Sequence, residues 1–193
     1  MKIAYWVDGD NSPTARLRGI ELARSCDEIH IFESIKEKNN LHFKTDYLEK
    51  LRKTTKASID FTSVKSGNQA TDFRILIEIS RYIMQHNEPC VHVLLSDDKH
   101  FDIMQHEIKA VLMPYRVDHC NSIEQAMHKY ATLCLSTKEE WKAYLRQTLG
   151  ELDEDAYKTL TEAMSSESSS ITSIKKEEPP RSNPLKWWER KCH

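Results

Sequence analysis

The chain has little glycine, four residues in 193, and no glycine-rich loop of the kind that cradles phosphate groups. It also has no apolar run near the roughly 20 residues that span a bilayer. The amino-terminal residues have the pattern of a core strand rather than that of a cleavable signal. We therefore expect a cytoplasmic protein whose function does not depend on a phosphate-binding loop.

The two signs of charge nearly balance, because 28 lysines and arginines stand against 30 acidic residues for a net charge of -2. A nucleic-acid partner would therefore have to meet a local basic patch rather than a global positive field. The cysteines are odd in number and scattered, with no CxxC pair that would indicate a zinc knuckle or a redox motif. We expect reduced and mostly buried thiols at Cys26, Cys90, Cys120, Cys134 and Cys192.

Segments with strand-like and helix-like patterns alternate along the first two thirds of the chain. Short apolar runs end at acidic or small residues, as buried parallel strands do, and longer segments repeat apolar residues at helical spacing. We predict strands at 3–7, 28–32, 57–64, 91–96 and 110–117. We predict helices at 13–25, in the second half of 35–56, and at about 68–86, 97–108 and 122–135, the first with Ser12 as its N-cap.

This alternation implies parallel strands joined by right-handed crossovers. The predicted fold is α/β, a three-layer α/β/α domain with a central parallel sheet over residues 1–135. Residues 136–164 are predicted to form a short helical appendage, and residues 165–193, rich in serine, proline and charge, a disordered tail. In the helix at 68–86 the apolar positions predicted to face the core are Phe73, Leu76, Ile77, Ile83 and Met84.

Aspartates follow three of the predicted strands. Asp8 closes the first strand, Asp72 lies in the first turn of the helix after the third, and Asp98 follows the fourth. Asp102 comes four residues after Asp98 and lies on the same face of the next helix. Because ligands of open parallel sheets bind beyond the carboxyl ends of the strands, we expect these four carboxylates to meet at one rim.

A cluster of like charges is costly unless a cation neutralises it. Carboxylate oxygens and water are the ligands that Mg²⁺ or Mn²⁺ favours, and such a site activates water for phosphodiester hydrolysis. We therefore interpret Asp8, Asp72, Asp98 and Asp102 as catalytic residues and metal ligands, while helix capping remains the alternative for each one singly. Further residues that orient water or a carboxylate, unless they only form caps and turns, are Asp10, Asn11, Asn68, Ser96 and Asp97.

Three segments, WVDGDNS, KSGNQATDFRILIEISRYI and LLSDDKHFDIMQHEI, resemble in order and spacing the signatures of prokaryotic PIN-like and NYN-type domains. The resemblance covers about residues 1–135. It implies a metal-dependent ribonuclease, or less often a DNA nuclease, of a toxin, RNA-processing or defence system. The family's acidic positions match Asp8, Asp72, Asp98 and Asp102. His100 departs from the family, which usually has a small residue there, and this narrows the expected access to Asp98.

Basic residues flank the acidic segments and predict contacts with a nucleic-acid backbone, although a charge run is more often just a solvated face. Lys65, Arg74 and Lys99 lie nearest in sequence to the acids. We expect His106 and His119 to be surface histidines rather than proton-transfer groups. A more distant basic track is formed by Lys44, Lys50, Arg52, Lys53 and Lys56.

The tail segment LKWWERKCH combines apolar and basic side chains and predicts a docking motif for a partner protein, with nucleic acid or a membrane surface as alternatives. Its apolar residues are Leu185, Trp187 and Trp188. A catalytically silent PIN-like module that recruits such a partner is the rival to the nuclease. A Rossmann-type nucleotide binder is disfavoured by the missing glycine fingerprint. RNA or DNA preference and a homo-oligomeric state stay open.

Overall fold

In a computed structural model of the protein, the described residues are 1–35, 41–67, 69–86, 88–111, 116–150, 155, 158 and 159. Five parallel strands form one sheet, and helices accompany it. The strands are β1 Lys2–Asp8, β2 Glu28–Ile35, β3 Ser58–Lys65, β4 Cys90–Leu95 and β5 Arg116–Cys120. The helices are α1 Pro13–Arg16, α2 Thr45–Thr54, α3 Ala70–Gln85, α4 His100–Val111, α5 Ile123–Cys134 and α6 Lys138–Leu149.

The sheet has the strand order β3-β2-β1-β4-β5, which places β1 at its centre. Residues 3–7 of β1 are buried on both faces because successive side chains point to opposite sides of a strand. Tyr5 lies in the core cluster shared with α2, α5 and α6, whereas Trp6 lies in the cluster shared with α3 and α4. Two helical layers therefore enclose the sheet, and the predicted three-layer α/β/α fold is confirmed.

The first predicted helix is wrong in its length. The structure has the short helix α1 and then a separate 3-10 turn, Ile20–Leu22, with Gly19 between them at φ 82. A Cβ on Gly19 would lie 2.6 Å from Glu124 Cβ, so the chain turns here where it passes close to α5. Ser12 takes the predicted N-cap position before Pro13, but it has φ 45 and its side chain makes no cap hydrogen bond.

The fifth strand lies later in the sequence than predicted. Helix α4 continues through Val111, and β5 spans Arg116–Cys120 rather than 110–117. A short apolar run has the same pattern at the end of a helix as in a strand. Tertiary packing therefore decided this boundary.

The predicted core face of α3 is wrong at three of its five positions. Phe73, Ile77 and Met84 are exposed by 57%, 55% and 72%, whereas Ile75 and Ile79 are fully buried. Helix α3 is apolar over much of its circumference, so helical spacing alone did not identify the face that meets the sheet. Of the predicted positions, Ile83 is buried and Leu76 is half-buried.

The first appendage helix is present as α6. Thr137 and Glu140 form a capping box at its start, and its Tyr144 and Leu145 join the core cluster on the Tyr5 face of the sheet. Most of the second predicted helix, 153–164, and the whole tail, 165–193, lie outside the described residues. No helix in the described part of the chain is long and apolar enough to cross a membrane.

Candidate functional site

Asp8 ends β1 at the carboxyl edge of the sheet, and its side chain is held in one position. The residue is 1% exposed. Its carboxylate accepts hydrogen bonds from the Ser96 hydroxyl at 2.8 Å, the Asn11 amide at 3.0 Å and the Asp10 backbone N–H at 3.0 Å. Burial raises the pKa of Asp8, and these three donors partly oppose that rise. The site therefore begins with a fixed, poorly solvated carboxylate.

Asp10 ties three elements together at the same edge. Its carboxylate accepts hydrogen bonds from the Ser34 N–H at 3.0 Å and hydroxyl at 2.7 Å, at the end of β2. The Thr71 hydroxyl, in the first turn of α3, donates to its other oxygen at 2.6 Å. Because Thr71 directly precedes Asp72, this contact positions the start of α3 beside the end of β1.

Asp72 lies in the first turn of α3 and is half-buried. Burial, followed by the negative charges of Asp8 and Asp98, raises the pKa of Asp72 to about 6. The ordinary value is 3.8, so the charged form of this carboxyl is disfavoured by its surroundings. Carboxylates that follow three different strands therefore act on one another at this edge.

Asp98 also serves α4 as a cap. Its carboxylate accepts the backbone N–H of His100 at 2.9 Å and lies 3.1 Å from the His100 ring Nδ1. These contacts lower the pKa of Asp98. Ser96 joins the two acids, because its hydroxyl donates to Asp8 and accepts the Asp98 backbone N–H at 3.1 Å.

Asp102 and Asp97 are each held by a side chain outside this group. Asp102 lies 2.7 Å from Nδ1 of His119, whose Nε2 lies 2.8 Å from the carbonyl oxygen of Ser96. Asp97 pairs at 2.8 Å with Arg16, which also donates to the Asn121 carbonyl. Asn68 lies outside the described residues.

Two of these partners were not expected from the sequence. The side chain of His119 is only 12% exposed, so the prediction of a surface histidine is wrong for this residue. Arg16 is buried at the carboxyl edge. Neither has a local sequence signal, because each meets its aspartate from a distant part of the chain. His106 is exposed, as predicted.

The carboxylate oxygens fit a hard divalent cation that keeps much of its water. Within the described residues, no three His, Cys, Asp or Glu side chains are grouped closely enough to hold a metal ion by themselves. A cation at this edge would therefore complete its coordination with water, and its charge would relieve the repulsion that acts on Asp72. The acids whose charges act on one another at this edge are Asp8, Asp72 and Asp98.

The predicted basic residues divide into two groups. Lys65 ends β3 and Lys99 follows Asp98, so both lie at the carboxyl edge, and both are exposed. Arg74 is exposed one turn into α3 and lies 2.8 Å from Glu78. The second group belongs to helix α2 and its ends. This helix packs on the opposite face of the sheet, because its Leu48 lies in the same core cluster as Tyr5. The group runs along α2 and just beyond its ends through Lys44, Lys50, Arg52, Lys53 and Lys56, all exposed.

Gly9 separates Asp8 from Asp10 at a point without room for a side chain. A Cβ there would lie 2.7 Å from the Phe32 carbonyl oxygen and 3.0 Å from the Phe43 ring. We expect Gly9→Ala to lower the free energy of unfolding by about 1–3 kcal/mol, because backbone must move. Gly67→Ala is the control, since its Cβ would meet only Ala70 at 3.5 Å. Thermal unfolding measures both, and equal melting temperatures would contradict the prediction.

The fold and the site together define an open parallel α/β protein with acidic side chains gathered at the carboxyl edge of its sheet. No protein-family model matches the chain, and no curated protein and no solved structure matches it. The resemblance to PIN-like and NYN-type domains therefore stays a prediction, carried by the three sequence segments.

Proposed function

We propose that the protein is a metal-dependent nuclease of the PIN-like type that hydrolyses phosphodiester bonds in single-stranded RNA. The observation that supports this most is that burial, followed by the negative charges of Asp8 and Asp98, raises the pKa of Asp72 to about 6. A fold tolerates such repulsion at a functional site more readily than elsewhere. Mg²⁺ or Mn²⁺ is the cation class that suits oxygen ligands.

The bound cation would supply an activated water and a Lewis acid for the phosphate oxygens. Asp8, fixed by Ser96 and Asn11, is the rigid ligand of the set. Asp72 and Asp98 enter from α3 and from the turn before α4. Lys65 and Lys99 lie at the same edge and supply positive charge for the backbone of the substrate.

Asp102 takes part as a fourth carboxylate if the substrate or the cation draws it from His119. The exposed side chain of Asp102 has room to move, since 65% of it is accessible. His119 then retains its contact with the Ser96 carbonyl oxygen.

We assign the protein to the cytoplasm, where its buried thiols at Cys90, Cys120 and Cys134 stay reduced.

A catalytically silent PIN-like module is the second candidate. The observation that favours it is the pairing of acids with protein groups, Asp102 with His119 and Asp98 with His100. Such a module would act through a partner protein, and the tail residues Leu185, Trp187 and Trp188, which lie outside the described residues, are the proposed contact.

Incubation of the purified protein with end-labelled RNA and DNA tests the choice. We expect Mn²⁺ or Mg²⁺ to start cleavage of single-stranded RNA and EDTA to stop it. Cleavage of DNA but not of RNA would identify DNA as the substrate. If neither is cleaved in the presence of metal, the silent module is favoured. A variant of the acidic site, considered in the Discussion, excludes a contaminating nuclease.

A further inference from the structure

A cleft of about 450 Å³ opens between α3 and the exposed edge strand β3. Helix α3 packs over β1 and β2, and so leaves part of the β3 surface uncovered on that face. The floor contains Trp6, His30 and Asp60 from three neighbouring strands, and α3 forms one wall with Arg74 and Arg81. The volume lies within the range of about 300–1,000 Å³ found for small-molecule sites.

The aromatic floor of the cleft is a stack that stops before the edge of the sheet. The rings of Trp6 and His30 lie 4.4 Å apart and 17° from parallel, and the two residues are direct partners on β1 and β2. The next partner in this row, on β3, is Asp60. Its short side chain is 74% exposed and its carboxylate lies 3.6 Å from His30 Nδ1, so a carboxylate rather than a third ring lies beside His30.

The wall of the cleft carries guanidinium groups with donors to spare. Arg74 and Arg81 each contact one oxygen of Glu78, at 2.8 and 3.2 Å. Their side chains are 44% and 53% exposed. Because a guanidinium has five N–H donors, each arginine keeps donors for an anion that enters the cleft.

The cleft lies on the same face of the sheet as the acidic site. Asp8 is two residues after Trp6 on β1, and side chains two residues apart point to the same face. The separation along the strand is about 6.6 Å at 3.3 Å per residue. Phe32, which lines the cleft, is the β2 partner of Asp8 itself.

We propose that this cleft binds one nucleotide of a single-stranded RNA, with its base stacked on His30 as the third layer of the Trp6–His30 stack and a phosphate on Arg81 and Arg74. Unpaired bases bind proteins in this way, on aromatic rings with basic groups along the backbone. The choice of RNA as the ligand rests on the proposed nuclease function. The cleft itself does not take part in the chemistry at the acidic edge.

Placing a ring at position 60 tests this proposal. Asp60→Tyr places a ring beside His30, and an exposed β3 position accepts tyrosine well. Ser63→Tyr is the matched control, because Ser63 is exposed on the opposite face of the same strand. Asp60→Tyr also removes a negative charge, which by itself would strengthen RNA binding, so only obstruction of the cleft explains a loss.

Fluorescence anisotropy of a labelled five-nucleotide RNA, measured in EDTA, reports binding without cleavage. We expect Asp60→Tyr to weaken binding at least tenfold and Ser63→Tyr to change it less than twofold. Arg81→Gln is expected to weaken binding at least fivefold, and Arg18→Gln, an exposed arginine with one carboxylate partner outside the cleft, less than twofold. Circular dichroism verifies that each variant is folded.

The result that overturns the proposal is unchanged or tighter binding by Asp60→Tyr, or no binding by the parent protein in EDTA. Failure of the nuclease function gives a different pattern. In that case the parent protein still binds the RNA through the cleft and the Asp60→Tyr variant still binds it more weakly. Mn²⁺, however, starts no cleavage. Cleavage by the parent together with equal binding by Asp60→Tyr would retain the nuclease and retire the cleft.

Discussion

Asp72→Asn is expected to lower RNA cleavage in Mn²⁺ at least 100-fold, which corresponds to about 2.7 kcal/mol of transition-state stabilisation. The amide would remove a charged ligand of the proposed metal site but keeps the size of the side chain. Asp72 suits this test better than Asp8. An amide at position 8 would direct N–H groups toward the donors of Ser96 or Asn11, and so would unfold part of the site as well as inactivate it.

The same variant is expected to be more stable than the parent protein without metal. The folded protein holds the Asp72 proton more tightly than the unfolded chain does, with a pKa of about 6 against 3.8. Stability from this group is therefore full below about pH 4 and falls as the pH rises to about 6. Above that range the cost, discounted for solvent screening, is about 1 kcal/mol.

Thermal unfolding in EDTA at two pH values measures this effect. Asp72→Asn should melt about 2–4 °C above the parent protein at pH 7.5 and at the same temperature near pH 4. Asp46→Asn is the matched control, because Asp46 also lies in the first turn of a helix, α2, and is exposed. Cleavage by Asp72→Asn at the parent rate would indicate a contaminating enzyme. A melting temperature of Asp72→Asn below that of the parent protein at pH 7.5 would contradict the predicted cost of the Asp72 charge.

Mn²⁺ is expected to stabilise the parent protein and not the Asp98→Asn variant. A ligand that binds only the folded state adds about 2.7 kcal/mol at a concentration of 100 Kd. For a chain of this length that is a rise of about 5–10 °C in melting temperature. A cation at the proposed site would replace repulsion between Asp8, Asp72 and Asp98 with attraction, so removal of one charge would weaken its binding.

The control for this measurement is again Asp46→Asn, which should keep the full rise in Mn²⁺. Asp98 also caps α4 through the His100 N–H, and an asparagine can accept that bond as well. The comparison is therefore made between each variant with and without Mn²⁺, not between variants. A rise in Asp98→Asn equal to that of the parent would remove Asp98 from the metal site and favour the silent module.

The sequence predicted the parts of the site that depend on the ends of strands. Asp8 follows an apolar run that is buried on both faces, so its place at the carboxyl edge follows from the strand pattern. Asp98 follows a similar run. The position of Asp72 follows from the start of α3, which is indicated by the preceding strand and by the helical spacing of apolar residues. These local patterns carry the fold class and the edge where the acids lie.

The sequence did not predict which side chains hold each of these acids. The His119 contact holds Asp102, the Arg16 contact holds Asp97, and Thr71 and Ser34 hold Asp10. Each contact joins residues that are distant in the chain. The sequence shows that a side chain can form a hydrogen bond or an ion pair, but it does not show with which partner. The pKa of Asp72 likewise depends on charges from other strands.

The sequence by itself determined a parallel α/β domain, the order of its strands and helices along the chain, and the edge that receives the aspartates. The period of apolar residues fixes these features, because a strand or helix must bury its apolar side. Tertiary structure alone decided which face of α3 meets the sheet and where β5 begins. It also decided that the Trp6–His30 stack stops beside a cleft, because packing between distant segments settles which of several apolar surfaces is covered.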